Sequence, residues 1–494
     1  MLMRHTLIYS LSRGMAGVFN IVAIMMLTRL LPPSEYGIYA LIVTATVLVN
    51  ALFFQWVRMS LLRYYESHED RPRLLSTIVA GFHIVLLAAC ALAAVLALLW
   101  ADLRSIGWIV VETVAYLWLY AWFELNLTLY RTRLQPALYG YLFVAKNVLT
   151  LSAAVALVAL GYGIHGLMLG MIAGTLVPVA VSAARQWRGV SLRLVDYKLM
   201  LSLAKYGAPL TVSFTMGFVI YSAGRVMLGW LSGVEDTGLY AVSYDLTQQS
   251  IILLMTIVNL AAYPLAVKKL EKQGEEAARK QLGQNAVLIL LVSVPATAGL
   301  IVLAPNLSGV LLGEAYRETA LTVFPVIAIA AFVQGLKQFY FDLSFQLSRE
   351  TKKQMIPVVA AVAVTIALNL WWIPLWGIAG AAYASLVSYA IGTAMSIAIG
   401  NRVFRLPFPV KDFIKIAASA IAMSLLLLPL RDYGGPVMLA VQIAYGALVF
   451  GVLVWALKVS GVKEWPSAVL SKLRLTRPGA SPRAGHSGGK GESA

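Results

Sequence analysis

The chain has 494 residues, of which 60% are hydrophobic and only 12% are charged. An ordinary soluble chain carries about 25% charged residues, so this composition excludes a soluble protein and makes lipid the solvent for most of the surface. The single cysteine, Cys90, excludes a disulfide within the chain.

Apolar segments long enough to cross a bilayer follow one another along the whole chain. A spanning helix needs roughly 20 mostly apolar residues. Turn-forming Gly and Pro residues separate the segments, and the first one is too long for a cleavable signal core. The fourteen predicted spans are 6–29, 37–57, 75–100, 107–130, 138–160, 164–184, 206–231, 238–263, 285–311, 321–346, 355–374, 376–400, 412–430 and 435–457.

Lysine and arginine are concentrated in alternate connections between these spans. With the N-terminus in the cytoplasm, the inner segments hold most of the 39 basic residues, and the outer segments hold only Arg29, Arg104, Arg317 and Arg431. The positive-inside rule therefore predicts a multi-pass protein of the bacterial inner membrane with both termini cytoplasmic. The same asymmetry explains the net charge of +17 without a nucleic-acid partner.

An internal repeat occurs at an offset of 201 residues. Gly37-Ile38-Tyr39-Ala40 matches Gly238-Leu239-Tyr240-Ala241, and Glu35 matches Asp236. Both segments follow the first helix of a six-helix set. Because six is even, both sets begin on the same side of the membrane, and the repeat is parallel. Two such lobes are the architecture of an alternating-access transporter, whereas chance similarity of apolar segments around a Gly-aromatic turn is the alternative.

The repeat divides the chain into successive parts. The linker is predicted to form an amphipathic helix on the cytoplasmic interface, because leucines from Leu192 to Leu203 alternate with basic residues. The tail is predicted to be disordered from about 476, because it is rich in Gly, Ser, Pro and charge. The predicted parts are the first lobe 1–185, the linker 186–204, the second lobe 205–400, a peripheral helix pair 401–460 and a cytoplasmic tail 461–494.

Two segments carry a family resemblance. Leu27 through Tyr39, which reads L-T-R-L-L-P-P-S-E-Y-G-I-Y, resembles the first outer loop of Wzx-type polysaccharide-biosynthesis flippases. The segment from Lys205 through Arg225 to Tyr240 resembles the opening of that family's second lobe. These flippases belong to the multidrug/oligosaccharidyl-lipid/polysaccharide exporter superfamily.

The resemblance implies an all-α fold of two six-helix bundles around a central cavity, with two peripheral helices. It implies a substrate consisting of an oligosaccharide on undecaprenyl pyrophosphate, moved from the cytoplasmic to the periplasmic leaflet for O-antigen, capsule or exopolysaccharide assembly. The implied partners are this lipid-linked oligosaccharide, membrane lipids, and the polysaccharide polymerase and glycosyltransferases of the same pathway.

Eight ionisable residues fall inside the predicted spans. A Lys, Arg or Asp near a helix centre costs about 2.5–3.5 kcal/mol, so these groups are expected to face the bundle or a wet cavity. The four cations are the candidates for binding the pyrophosphate, with Arg225 first and Arg13 next; the alternative is that each pairs with a carboxylate and pins helices together. The eight are Arg13, Lys146, Arg225, Lys337, Glu112, Glu124, Asp245 and Asp342.

Three of the carboxylates, Asp245, Asp342 and Glu124, are candidates for coupling transport to H⁺ or Na⁺, and a helix-pinning hydrogen bond is the alternative. No other cofactor is predicted. Trp118 and Trp122 lie one turn apart and are candidates for stacking on sugar rings. Packing, or an aromatic belt at the membrane interface, is the alternative explanation for both tryptophans.

Two other functions compete with this interpretation. A membrane-embedded glycosyltransferase, ligase or polymerase needs a large outer loop to present acids and bases, and no predicted outer connection is long enough. A multidrug or peptidoglycan-precursor exporter of the same superfamily fits the fold. The embedded basic residues favour an anionic cargo, so a non-enzymatic flippase is the preferred function.

Overall fold

The computed structural model describes residues 2–99, 107–348 and 350–460, and it is built from helices and turns throughout these ranges. The side chains of residues 2–14, 16, 96–99, 183–185, 210, 212–214 and 261 lie outside this description, as does the predicted disordered tail. The helices are α1 (Leu2–Leu30), α2 (Pro33–Tyr64), α3 (Arg71–Leu99), α4 (Gly107–Thr132), α5 (Pro136–Leu157), α6 (Gly163–Gln186), α7 (Tyr197–Leu231), α8 (Val234–Gln273), α9 (Glu275–Val302), α10 (Ala304–Leu311), α11 (Glu314–Leu347), α12 (Thr351–Gly400), α13 (Val410–Leu430) and α14 (Pro436–Ala456).

These helices confirm the all-α transmembrane fold. Ten described segments are long and apolar enough to cross a membrane, and two of them, 136–182 and 351–400, each contain two crossings. The chain reverses direction at Gly163 in the first of these segments and at Gly377 in the second. Together with α1 and α7, which have 29 and 35 residues, they account for the predicted spans.

The two reversals support the internal repeat. Gly163 has φ 49° and ψ −134°, and Gly377 has φ 52° and ψ −127°, a conformation that side-chain-bearing residues rarely adopt. A Cβ on Gly163 would lie 2.8 Å from Glu35 Oε2, and a Cβ on Gly377 would lie 3.8 Å from Asp236 Oδ2. Matched acids of the repeat thus face matched glycines within their own lobes.

The lobes meet where α2 and α8 begin. Gly238 packs so tightly on α2 that a Cβ there would lie 2.0 Å from the carbonyl oxygen of Pro33. Nearby, the Tyr316 hydroxyl donates to Leu31 O at 2.9 Å, and Gly313 N donates to Thr28 Oγ1 at 3.1 Å. The face that carries the α1–α2 turn, predicted from sequence to be outer, is therefore closed across the two lobes.

The last two helices form the expected peripheral pair. Ile416 and Met423 of α13 share one buried apolar cluster with Leu290 of α9 and Phe450 of α14. Burial of apolar side chains in this cluster joins the pair to the second lobe.

The linker differs from its prediction. An amphipathic helix over 186–204 is wrong: α6 ends at Gln186, a three-residue 3₁₀ turn covers Leu192–Leu194, and α7 has begun by Tyr197. Asp196 sets this start, because its carboxylate accepts hydrogen bonds from the backbone N–H groups of Lys198 and Leu199 as an N-cap. The first turns of α7 therefore continue directly into a spanning helix.

The span predicted over 285–311 is also divided. Helix α9 ends at Val302, and Leu303 (φ −87°, ψ 5°) separates it from the short helix α10. Pro305 in the first turn of α10 favours a new helix start, because proline fits that position and lacks the N–H needed further along.

Candidate functional site

A cavity of about 320 Å³ lies among α1, α2, α4, α5 and α6 of the first lobe and reaches Gln249 of α8. We call it the N-lobe cavity. Among the described residues, its lining combines amide and hydroxyl groups, tyrosine rings and a single cation, Lys146, with no carboxylate. The polar and aromatic lining residues are Asn20, Tyr39, Tyr116, Tyr120, Lys146, Asn147, Thr150 and Gln249.

Lys146 is the unpaired cation of this cavity. Its half-buried side chain places Nζ 5.8 Å from the centroid of the Tyr120 ring, and no described carboxylate lies within salt-bridge distance. The four embedded acids all have other partners, which are Arg58 for Glu124, His165 for Glu112, Arg225 for Asp245 and Lys337 for Asp342. The ammonium is thus available to an anionic ligand.

Arg225, the first-ranked candidate, is buried at 3% exposure and forms an ion pair with Asp245. The Tyr221 hydroxyl donates to Asp245 at 3.0 Å, and the guanidinium lies over the rings of Tyr221 and Tyr244 at 5.1 and 5.4 Å. One donor, Arg225 Nε, is buried without a hydrogen-bond partner. The pair joins α7 to α8, which is the arrangement that the helix-pinning alternative requires.

A tyrosine and glutamine network that sequence analysis missed extends from this pair. The hydroxyls of Tyr244 and Tyr389 are 2.9 Å apart, and Gln248 Nε2 donates to both Tyr244 Oη at 3.1 Å and Gln334 Oε1 at 2.7 Å. The network links α8 to α11 and α12 in the membrane. The sequence feature that indicates this network is the spacing of Tyr240, Tyr244 and Gln248, which puts three polar side chains on one face of α8.

Lys337 and Asp342 form one buried pair rather than two separate sites. Lys337 Nζ lies 2.7 Å from Asp342 Oδ2, and the same carboxylate accepts hydrogen bonds from Ser396 at 2.8 Å and Gln354 at 3.2 Å. A π-helical turn over Lys337–Phe341 brings the two residues together, because its i→i+5 spacing aligns side chains five positions apart. The pair attaches α11 to α12.

Glu124 pairs with Arg58 at 3.3 Å, and Arg58 also donates to Gln55. The predicted span 37–57 leaves Arg58 in an inner connection, but α2 continues to Tyr64 and buries Arg58 at 8% exposure. The sequence feature that indicates this longer helix is the absence of any helix-breaking residue between Phe54 and Tyr64.

The two tryptophans lie in different surroundings. Trp118 is 45% exposed, while Trp122 contacts the rings of Phe82, His83 and Trp187 at centroid distances of 5.0 to 5.7 Å. On the same helix, Tyr116 and Tyr120 line the N-lobe cavity. The side chain of Arg13, the remaining candidate, lies outside the described residues.

Comparisons with known proteins agree with this architecture. A family model described as polysaccharide biosynthesis protein matches residues 26–321. The chain is 23% identical over 255 residues to the probable flippase AglR of Haloferax volcanii, covering 50% of this chain and 52% of that protein. It is 20% identical over 252 residues to the probable low-salt glycan biosynthesis flippase Agl15 of the same organism, covering 51% and 52%. The chain thus spans about half the length of the curated relatives it matches.

Solved structures resemble the chain over more of its length. The lipid II flippase MurJ in an inward closed conformation aligns with a TM-score of 0.72 at 13% identity, covering 95% of this chain and 100% of that chain. An outward-facing multidrug resistance MATE family transporter of the MOP superfamily aligns with a TM-score of 0.55 at 12% identity, covering 80% and 94%. At such low identity these likenesses show the fold alone.

Proposed function

We propose that this chain, which belongs to the polysaccharide biosynthesis protein family, moves a lipid-linked oligosaccharide across the membrane by alternating access. The proposed cargo is an oligosaccharide on undecaprenyl pyrophosphate, and the proposed direction is from the cytoplasmic to the periplasmic leaflet of the bacterial inner membrane. The proposed orientation has both termini in the cytoplasm. The product would serve O-antigen, capsule or exopolysaccharide assembly by pathway polymerases and glycosyltransferases.

The observation that carries this proposal is the unpaired ammonium of Lys146 inside the N-lobe cavity. A cation in a low-dielectric environment attracts phosphate more strongly than it would in water. Amide and hydroxyl groups around it offer hydrogen bonds to sugar hydroxyls, and Tyr116 and Tyr120 offer ring faces. This combination suits a sugar phosphate.

A second cavity supports the lipid part of the cargo. About 640 Å³ of space lies among α8, α9, α10, α13 and α14 and reaches Ile21 of α1, with a lining that is apolar apart from Ser250 and Gln442. We call it the apolar cavity. Polyprenyl chains are hydrocarbon, so such a surface would accept part of the carrier's tail.

The same observations argue against the rival transporter functions. A drug exporter for organic cations needs acidic groups in its cavity, whereas the N-lobe cavity, in the part of the chain that the structure describes, is lined by a cation and no carboxylate. Ion coupling by Asp245, Asp342 or Glu124 stays a prediction. Of the two paired carboxylates in the second lobe, Asp245 is the more accessible: its side chain is 19% exposed, against 6% for Asp342.

The proposal is tested by Lys146→Met, with Lys146→Arg as the matched control that keeps the charge. Purified proteins are reconstituted into liposomes with a fluorescent polyprenyl-pyrophosphate-linked sugar, and a membrane-impermeant quencher measures how much label has changed leaflet. Lys146→Met should reduce the transfer rate about tenfold or more, since the charge-assisted contact is lost, and Lys146→Arg should retain most of it. Equal transfer by the wild type and Lys146→Met would contradict the assigned role of Lys146, and absence of wild-type transfer would contradict the proposed function.

A further inference from the structure

The short helix α10 separates two cavities of opposite character. Pro305, Asn306, Gly309 and Val310 line a cavity of about 570 Å³, which we call the α10 cavity. On the opposite side of the helix, Leu303, Leu307 and Leu311 line the apolar cavity. The α10 cavity also receives Met25 and Arg29 from α1 and the connection between α13 and α14 at 431–436.

Two guanidinium groups line the α10 cavity. Arg29 is held in place, because it donates to Met25 O and to Val310 O, each at 2.5 Å. Arg431 has one described acidic partner, Asp432, at 3.6 Å. Asp432 also lines the cavity, but its side chain is 86% exposed to solvent. The predicted outer segments hold only four basic residues, and two of them meet here.

Buried amides fix the wall of the α10 cavity. Asn306 Nδ2 donates to Gln442 Oε1 at 2.8 Å, while Asn306 Oδ1 accepts from Gly435 N at 3.0 Å. Gln442 in turn donates to the carbonyls of Leu430 and Tyr433. These bonds attach the α13–α14 connection, which carries Arg431, to α10.

The surroundings of the α10 cavity are those of a membrane surface. Val437 and Val441, in the first turns of α14, are 77% and 50% exposed, and Tyr433 beside them is 63% exposed. Apolar side chains so exposed on a spanning helix face lipid. The two cations therefore lie at the level of lipid headgroups on the predicted outer face.

We propose that the α10 cavity binds the phosphate headgroup of a lipid in the predicted outer leaflet, with Arg29 and Arg431 as its cations. Guanidinium groups bind phosphate oxygens in a bidentate geometry. A lipid, rather than free phosphate, is favoured by the lipid-facing helix that borders the cavity. The site is separate from Lys146 and the N-lobe cavity, so it extends the proposed function and its failure would leave that function intact.

The test measures lipid binding to the purified full-length protein by native mass spectrometry, with phosphatidylglycerol, polyprenyl phosphate, phosphatidylcholine and inorganic phosphate as probes. The variants are Arg431→Gln, which removes an exposed charge, and Gly309→Trp, which fills the cavity. A Cβ on Gly309 would have nothing within 4 Å, so the helix tolerates a side chain there. The control is Arg317→Gln, because Arg317 is a predicted outer cation that bonds to Leu312 O and does not line this cavity.

We expect each variant to weaken binding of an anionic phosphate lipid about tenfold, with Arg317→Gln unchanged. Loss with phosphatidylglycerol identifies a membrane phospholipid as the ligand, and loss with polyprenyl phosphate alone identifies the carrier lipid. Two outcomes would overturn the proposal: anionic lipids bind the variants as well as the wild type, or phosphatidylcholine and inorganic phosphate bind as tightly as the anionic lipids.

Discussion

Gly37 and Gly238, the matched glycines of the internal repeat, face each other across the boundary between the two lobes. A Cβ on Gly37 would lie 3.0 Å from Gly238 N, and a Cβ on Gly238 would lie 2.9 Å from Gly37 N. This reciprocity is what a pseudo-two-fold axis between α2 and α8 requires. The repeat detected in the sequence therefore marks the contact that closes the predicted outer face.

Substitution of Gly37 should weaken this closure. In Gly37→Ala the new Cβ would lie 1.7 Å from Val234 O, so α2 and α8 must move apart. We expect a lower melting temperature and faster labelling of Asn20→Cys, in the N-lobe cavity, by an impermeant maleimide from the predicted outer side, in a background with Cys90→Ala. The control is Gly451→Ala in α14, where a Cβ meets nothing within 4 Å. Equal labelling in both variants would contradict a gating role for Gly37.

Variants of the ion pair between Arg225 and Asp245 can distinguish a packing role from a transport role. Removing one partner of a buried pair costs about 3–5 kcal/mol, whereas replacing both by apolar residues is often neutral. Arg225→Met should thus destabilise the protein, and Arg225→Met with Asp245→Leu should restore its melting temperature. If the pair only pins helices, the double variant also recovers transfer of the labelled lipid-linked sugar. We expect stability to return without transfer, because the sequence predicts cargo binding by Arg225 and ion coupling by Asp245.

Lys337 and Asp342 should behave differently. Their pair is saturated by Ser396 and Gln354 and buried at 8% and 4% exposure. Lys337→Met alone should lower the melting temperature, because it leaves a buried carboxylate without its cation. Lys337→Met with Asp342→Leu should recover both stability and transfer, as measured by thermal denaturation and the liposome assay. If stability were recovered but transfer were lost, the pair would again be a candidate for a direct role in transport.

The sequence predicted the helical membrane fold because helix count depends on a summed property, the length of apolar runs. The orientation, which depends on the number of basic residues per connection, stays a prediction. Side-chain pairing depends on rotation and register, which composition does not specify. In a regular α-helix Lys337 and Asp342 point roughly 140° apart, and only the π-helical turn aligns them. Arg225 and Asp245 belong to different helices, and their meeting depends on how α7 and α8 pack.

The start of α7 was also not predicted from the sequence. Its N-cap residue, Asp196, offers a pH-dependent test. Hydrogen bonds from the backbone N–H groups of Leu199 and Lys198, together with the neighbouring Arg73 guanidinium at 2.7 Å, hold the pKa of Asp196 below its usual value of 3.8. A carboxyl whose pKa falls on folding stabilises the protein above its unfolded pKa, and this contribution disappears as the pH falls through the folded pKa.

Asp196→Ala should therefore lower the melting temperature at pH 7, and its difference from the wild type should shrink when the pH falls below about 4, near the pKa of an unperturbed aspartate. Asp196→Asn is the matched control, because asparagine is a good N-cap and loses only the charge that Arg73 contacts. It should melt between Asp196→Ala and the wild type at pH 7, because it keeps the cap and loses the charge. If Asp196→Asn were as unstable as Asp196→Ala, the Arg73 pair rather than the cap would fix the start of α7. A difference between Asp196→Ala and the wild type that stayed constant with pH would show that the carboxylate charge plays no part.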